Sequence, residues 1–329
     1  MIQTKHQLFG LGIALGLGVA AVGIPQAAFA WVPKKPVEFV VMAGKGGGAD
    51  KAVRLMQSII AKDKLAPVPF TPINKPGGSG AEALVYLKGK SGDNHTIMFT
   101  LNSFYTTPLR QPKLGVDIEK FTPIMRMAED TFCLWVNSDR KDINNVDDFV
   151  KAAKAKGNGW IMAGTGKASE DNLLTDFLNS AYGLKMKYVP YKGGGKVAKE
   201  LAGKNADSTV NNPSEQLGFY EAGTTKPLAC FTPERIGLFK DAPTFKELGK
   251  DFVYFMQRTV VGAPGMSKEA TAYYQGLFTK VFNSDKWQSY MKKKALQGTA
   301  LSGSKLMDYW KKEREIHRKM LIKMGAIKG

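Results

Sequence analysis

The sequence predicts an α/β fold, and three observations predict it: short apolar runs of strand length, amphipathic runs of helical period after them, and glycine-rich loops joining the two. The first unit opens with Val37-Glu38-Phe39-Val40-Val41-Met42-Ala43, a nearly continuous apolar run that reads as a buried strand. It ends in the loop Gly44-Lys45-Gly46-Gly47-Gly48-Ala49-Asp50. Ala52, Val53, Met56, Ile59 and Ile60 then recur at three- and four-residue spacing, which predicts a helix with Asp50 as its N-cap.

The pattern recurs in looser form. Residues 68–73 are extended but interrupted by proline, with Pro67, Pro69 and Pro72 in or beside the run. A proline has no amide to give a central ladder, so this is predicted as an edge strand. The loop Asn74-Lys75-Pro76-Gly77-Gly78-Ser79-Gly80 follows, then a helical run through Ala83, Leu84 and Leu87. Further strands are predicted over 95–101 and 132–136, and a lysine- and alanine-rich helix over 146–156. Trp160-Ile161-Met162-Ala163 leads into Gly164-Thr165-Gly166-Lys167-Ala168-Ser169 and a helix carrying Leu173, Leu174, Phe177 and Leu178. The apolar, β-branched segment 252–262 is expected to return to an earlier sheet. One helix is then predicted from Ser267 through Leu277, Val281, Trp287 and Tyr290, and another from Ser304 with Leu306, Trp310, Ile316, Met320 and Met324 on one stripe. Aromatic and methionine side chains at that spacing read as core.

The N-terminal segment has the order of an export signal: Lys5 in a polar start, an apolar run from Leu8 to Ile24, Pro25, then Ala28-Phe29-Ala30. The run is too short and glycine-rich for a membrane span, so cleavage is expected between Ala30 and Trp31, placing the protein outside the cytoplasm. The remainder is long enough for two compact domains. Without Lys5 it carries 46 basic against 29 acidic side chains, a net charge of +17. The lysines are dispersed and no RNA-binding motif is present, so nucleic acid is not the expected partner; a field that gathers small anions is one reading, and a solvated surface is another. Cys133 and Cys230 are too few for a disulfide scaffold and have no metal-ligand spacing. They either pair or stand as two buried thiols.

Catalytic signals are sparse. Beyond His6 in the signal there are only His95 and His317, neither with a close metal-ligand partner, and there is no G-x-S-x-G nucleophile elbow. No catalytic residue, metal or cofactor is therefore expected. The glycine loops fail the Walker and dinucleotide patterns in detail. What they do supply is free backbone amides at three helix N-termini, near Gly46 to Asp50, Pro76 to Gly80 and Gly164 to Ser169. Such amides receive an anion without needing an arginine, and in open α/β sheets they gather at the carboxyl ends of the strands.

Several motifs in order resemble the solute-binding receptors of tripartite tricarboxylate transporters, also called Bug proteins. They are Pro33-Lys34-Lys35-Pro36-Val37, Gly47-Gly48-Ala49-Asp50 with Arg54, Asn74-Lys75-Pro76-Gly77-Gly78-Ser79-Gly80, Val189-Pro190-Tyr191-Lys192-Gly193-Gly194, Glu200-Leu201-Ala202-Gly203, Leu228-Ala229 with Glu234-Arg235, Asp241-Ala242-Pro243-Thr244, Glu247-Leu248-Gly249 and Gly262-Ala263-Pro264. The resemblance implies a two-lobe periplasmic binding protein of type II kind, each lobe a mixed sheet flanked by helices. Its first lobe would be residues 31–131 and 256–329, and its second 132–255. It implies a monomeric receptor, not an enzyme, that binds a small organic carboxylate between the lobes and passes it to integral-membrane transporter subunits.

Carried onto this chain, the ligand-binding set would be Gly47, Gly48, Ala49, Asp50, Gly77, Gly78, Ser79, Gly80 and Ser103 from the first lobe. From the second come Thr165, Lys167, Ser169, Glu170, Tyr191, Gly193, Gly194, Asn211 and Asn212. Asp93-Asn94-His95-Thr96 departs from the family's usual Asp-Gly-Tyr-Thr turn, and Glu170-Asp171 puts two acids where small polar residues or histidine are usual. Two acids there would oppose a second ligand carboxylate, so the far end of the ligand is expected to be neutral, hydroxylated or cationic. A receptor for an ATP-driven importer, an exported hydrolase or isomerase on the same scaffold, and a receptor feeding a signalling kinase stay open at this point.

Overall fold

The computed structural model describes residues 31–329, and the export signal expected over residues 1–30 lies outside the described residues. The first half of the chain lays down β1 (Val37–Val41), α1 (Gly48–Lys62), β2 (Phe70–Asn74), α2 (Ala81–Lys88), β3 (Thr96–Thr100), α3 (Ser103–Arg110) and β4 (Thr122–Asp130). A second series follows: β5 (Cys133–Asn137), α4 (Val146–Lys156), β6 (Ile161–Thr165), α5 (Glu170–Tyr182), β7 (Lys187–Tyr191), α6 (Gly194–Ala202), β8 (Ser208–Asn211), α7 (Pro213–Glu221) and β9 (Thr225–Cys230). The chain ends with β10 (Met256–Gly262), α8 (Lys268–Phe282), α9 (Asp285–Lys293) and α10 (Gly303–Lys323).

These strands make two five-stranded sheets of matching order, β2-β1-β3-β10-β4 and β7-β6-β8-β5-β9. In each, three parallel strands are joined by an antiparallel one that arrives from the other sheet: β10 beside β3, and β5 beside β8. The expected return of the 252–262 segment to an earlier sheet is therefore met, and so is the edge position of the proline-interrupted β2. The alternation of β1 explains the packing of the first sheet. Val37, Phe39 and Val41 face α1 and α8 through Val53, Met56, Ile60, Tyr274 and Phe278, while Val40 and Met42 face Leu84, Leu87, Phe104 and Trp310 on the opposite side.

Three local expectations change. The first helix begins at Gly48 with Gly47 as its cap, and Asp50 lies inside the first turn, where its carboxylate accepts from the Gly46 amide at 2.9 Å. The helix predicted to run from Ser267 through Tyr290 is two helices, because the Ser284 hydroxyl accepts from the Trp287 amide at 3.3 Å and starts α9 afresh. The apolar phase carries across the break, so periodicity alone missed it. The longest strand, β4, was not anticipated. Cys133 and Cys230 are paired in a disulfide, standing directly opposite one another on antiparallel β5 and β9.

His317 of α10 is fully buried at the junction of the two series. Its Nδ1 faces the Glu313 carbonyl at 2.7 Å, which can only accept, so Nε2 accepts from the Tyr254 hydroxyl at 2.9 Å. Asn102 in turn donates to the Tyr254 oxygen at 3.1 Å and to the Phe255 carbonyl at 2.8 Å, tying the strand crossing before β10 to the start of α3. Burial pushes His317 down to about 4. A native pKa below the unfolded one contributes stability that is complete above the unfolded value and is lost as pH falls toward the folded value. The stability difference between the wild type and His317→Gln should therefore shrink by about 2 kcal/mol between pH 7.5 and 4.5, read from urea titrations. Glu313, pushed up to about 7 by burial, runs the other way; its carboxylate lies 3.8 Å from His317 Nδ1, so the comparison reads the two groups together.

Candidate functional site

Both sheets deliver helix N-termini to a common cleft, and two carboxylates of the second series are seated on amides of the first. The Gly48 amide, in the first turn of α1, donates to Glu215 Oε1 at 3.1 Å. The Ser103 amide, at the start of α3, donates to Glu170 Oε1 at 3.1 Å. Each arrangement places an anion at the positive end of a helix with an otherwise orphan N–H. Burial raises the Glu215 carboxyl against the opposing pull of Arg258 and the Gly48 amide. It raises Glu170 likewise, against its own amide, Arg258, and the Ser103 and Asn102 amides.

Arg258 of β10 stands behind the first seat. A register shift beside Thr259 marks a bulge in β10, which re-aims the strand. Arg258 is 3 % exposed, and its guanidinium holds Asp130 of β4 through Nε at 3.0 Å and through Nη2. Burial works against its charge, but Asp130 and Glu215 outweigh it and keep it firmly cationic. A Cβ added to Gly48 would stand 2.9 Å from Arg258 Nη2 and 3.1 Å from Ser214 Oγ, so glycine is what lets that amide lie between them. At Gly194, the first residue of α6, an added Cβ would collide with the Glu215 carboxylate.

The expected site residues divide by what they touch. Gly47, Gly48, Ser103, Glu170 and Gly194 meet around the two seats. Gly80, with φ +88°, places its α-carbon against Met42 and near Ser103 Oγ, where any side chain would collide. Gly77 donates to Glu82 at 3.1 Å, and the Ser79 carbonyl, next to Gly78, accepts from Thr107 at 2.7 Å, so this loop is braced from within its own half. Ser79 approaches the second half at Gly166.

Ala49 packs into the core, and the Asp50 carboxylate faces inward to the Gly46 amide, Arg54 Nε and Asn74 Nδ2. Burial pushes Asp50 up, yet these three bonds carry it below its ordinary value. Thr165 donates its amide to Asp171 at 2.7 Å, and its carbonyl accepts from the Ser169 and Tyr188 hydroxyls. Lys167 is exposed. The Tyr191 carbonyl accepts from Gly193 at 3.1 Å. Asn211 donates to the Gly194 carbonyl at 3.1 Å and Asn212 to the Thr131 carbonyl at 2.7 Å, so both amides fix backbone.

Asp130, Ser214, Glu215 and Arg258 were missed. Arg258 did leave a signal, a lone cation inside an apolar run that reads as a strand. Glu215 left a misleading one: after Asn212-Pro213 it looks like an ordinary first-turn acid.

Residues 53–325 match the family described as tripartite tricarboxylate transporter family receptor. Protein BugT of Bordetella pertussis is 24% identical over 243 residues, covering 71% of this chain and 72% of its own. Among solved structures, the periplasmic binding protein BugD superposes with a TM-score of 0.82 at 21% identity, covering 89% of this chain and 99% of that one. An R. palustris protein solved with adipate gives 0.81 at 22% identity, covering 89% and 98%. The fold is thus the two-lobe one of periplasmic binding proteins, and with most of its length matched, the chain belongs to the tripartite tricarboxylate transporter receptor family, a class of solute-binding receptors.

Proposed function

We propose that the protein is a periplasmic receptor that takes a small organic carboxylate into the cleft between its lobes, closes over it, and presents it to a membrane transporter of the tripartite type. The lobes on this reading are residues 31–131 with 256–329, and residues 132–255, acting as a monomer after cleavage behind Ala30. The observation that carries the reading is the pair of carboxylates already seated on helix N-termini, Glu215 on the Gly48 amide and Glu170 on the Ser103 amide. Amides that hold the protein's own carboxylates across the cleft have the geometry to hold those of a ligand. The relative solved with adipate supports a carboxylate as the cargo class.

Water exclusion on closure would strengthen these bonds, and the closed form would be the one a carrier recognises. The test is a thermal-shift screen of the purified chain over aliphatic and aromatic carboxylates, with sulfonates and phosphonates beside them. A ligand at 100 times its dissociation constant adds about 2.7 kcal/mol of stability, a shift easily resolved. Stabilisation by a carboxylate is the expected result; stabilisation by sulfonates or phosphonates alone would point to a different receptor class.

A further inference from the structure

We infer that the ligand carries a cationic group as well as a carboxylate, and that Glu215 is the residue that selects for it. The inference rests on the receptor reading above and narrows its ligand.

The first seat holds more than an amide. Around Gly48 stand the Arg258 guanidinium, the Ser214 hydroxyl and the Glu215 carboxylate. Ser214 Oγ, in a residue 5 % exposed, has no hydrogen-bond partner among the described residues, and neither has Asp130 Oδ1, in a residue 1 % exposed. Buried polar atoms are nearly always paired, so an open donor against the Gly48 α-carbon and an open acceptor on the carboxylate that Arg258 holds mark a place built for a polar guest. The Gly48 amide, Ser214 hydroxyl and Arg258 together suit an incoming carboxylate.

Glu215 occupies that amide, so a ligand carboxylate that takes the seat displaces it. The displaced carboxylate has little room to leave: it is tethered to the first turn of α7 and wedged against the Gly194 α-carbon. It would stay beside the ligand's carboxylate in a closed cleft, where like charges repel strongly. Nearby charges relieve this only in part: Arg258 pulls on Glu215 but is shared with Asp130, and Asp171 adds further acid close by, against Lys51. A ligand that brings its own ammonium group removes the conflict, because Glu215 exchanges the Gly48 amide for that cation. A dianion makes the conflict worse.

The test uses calorimetry with straight-chain probes of three to six carbons, each in three forms: ω-amino acid, plain monocarboxylate and dicarboxylate. For the best chain length the amino acid should bind wild type at least tenfold more tightly than the other two. Glu215→Gln keeps an acceptor for the Gly48 amide while removing the charge, and should cut that lead below threefold while improving dicarboxylate binding. A dicarboxylate that binds wild type as tightly as the amino acid, a lead that survives intact in Glu215→Gln, or a wider screen in which only ligands without a cationic group bind would each overturn the inference and leave the receptor reading standing. Failure of every carboxylate in the series and the screen would remove the receptor reading, and the inference with it. The wild-type comparison needs no variant to fold.

Discussion

Arg258→Met should lower the free energy of unfolding by about 3–5 kcal/mol in urea titration, among the larger losses open to a single substitution in this chain. Arg258 and Asp130 are both almost fully inaccessible to solvent, and Arg258 gives Asp130 two hydrogen bonds. Removing the guanidinium leaves an uncompensated carboxylate on β4 beside Glu215, and desolvation of that charge supplies the penalty. The double variant Arg258→Met with Asp130→Leu should recover most of the loss, since a buried ion pair often does no better than well-packed apolar residues. A single-variant loss below about 1 kcal/mol would mean that water reaches the pair and that the site behind Gly48 is wet. The double variant also reads a second role: one that folds well but no longer binds a carboxylate ligand would show that the Arg258–Asp130 pair serves the ligand as well as the scaffold.

What the sequence disclosed and what it concealed follow from how far apart the interacting residues lie. β1 was legible because both its faces are covered, leaving an unbroken apolar run, and β2 because proline at an edge has a steric reason. β4 was not, because Arg126 and Glu129 interrupt its pattern; the structure satisfies Arg126 with Glu129 and the Thr299 carbonyl, partners 3 and 173 residues away. The glycine loops were legible as candidate anion receptors from local composition. The cluster behind them was not, since Asp130, Glu215 and Arg258 meet only because β10 returns between β3 and β4 and α7 faces that sheet across the cleft. Asp130 and Glu215 each read alone as a surface or capping charge, and Arg258 as a lone cation in an apolar run with no partner in view. The expectation drawn from Glu170-Asp171, that a second ligand carboxylate is unwelcome, did not include Glu215, whose charge also bears on Asp171.

Loss of the disulfide should cost nearly as much as loss of Arg258. Cys133 and Cys230 are 97 residues apart in sequence, and cross-linking a loop of that size removes enough unfolded-state entropy to contribute about 4 kcal/mol, with native strain lowering the figure and never raising it on this account. Both half-cystines are inaccessible, packed with Trp135, Leu201, Ile236 and Phe239, so Cys133→Ala with Cys230→Ala adds a small cavity term to the entropic one. Position sharpens the consequence. Cys133 begins β5 just after the chain leaves β4, and Cys230 ends β9 before the chain sets out for β10, so the bond clamps the two strands through which the sheets are connected. Urea titration of the double variant, and of wild type in dithiothreitol, should show the loss. Hydrogen exchange should show it concentrated in β5 and β9, with β1 to β3 little changed. A uniform loss of protection across both sheets would mean that they unfold as one unit. Because such a bond persists only in an oxidising compartment, protein made without export should start from the weaker, reduced state.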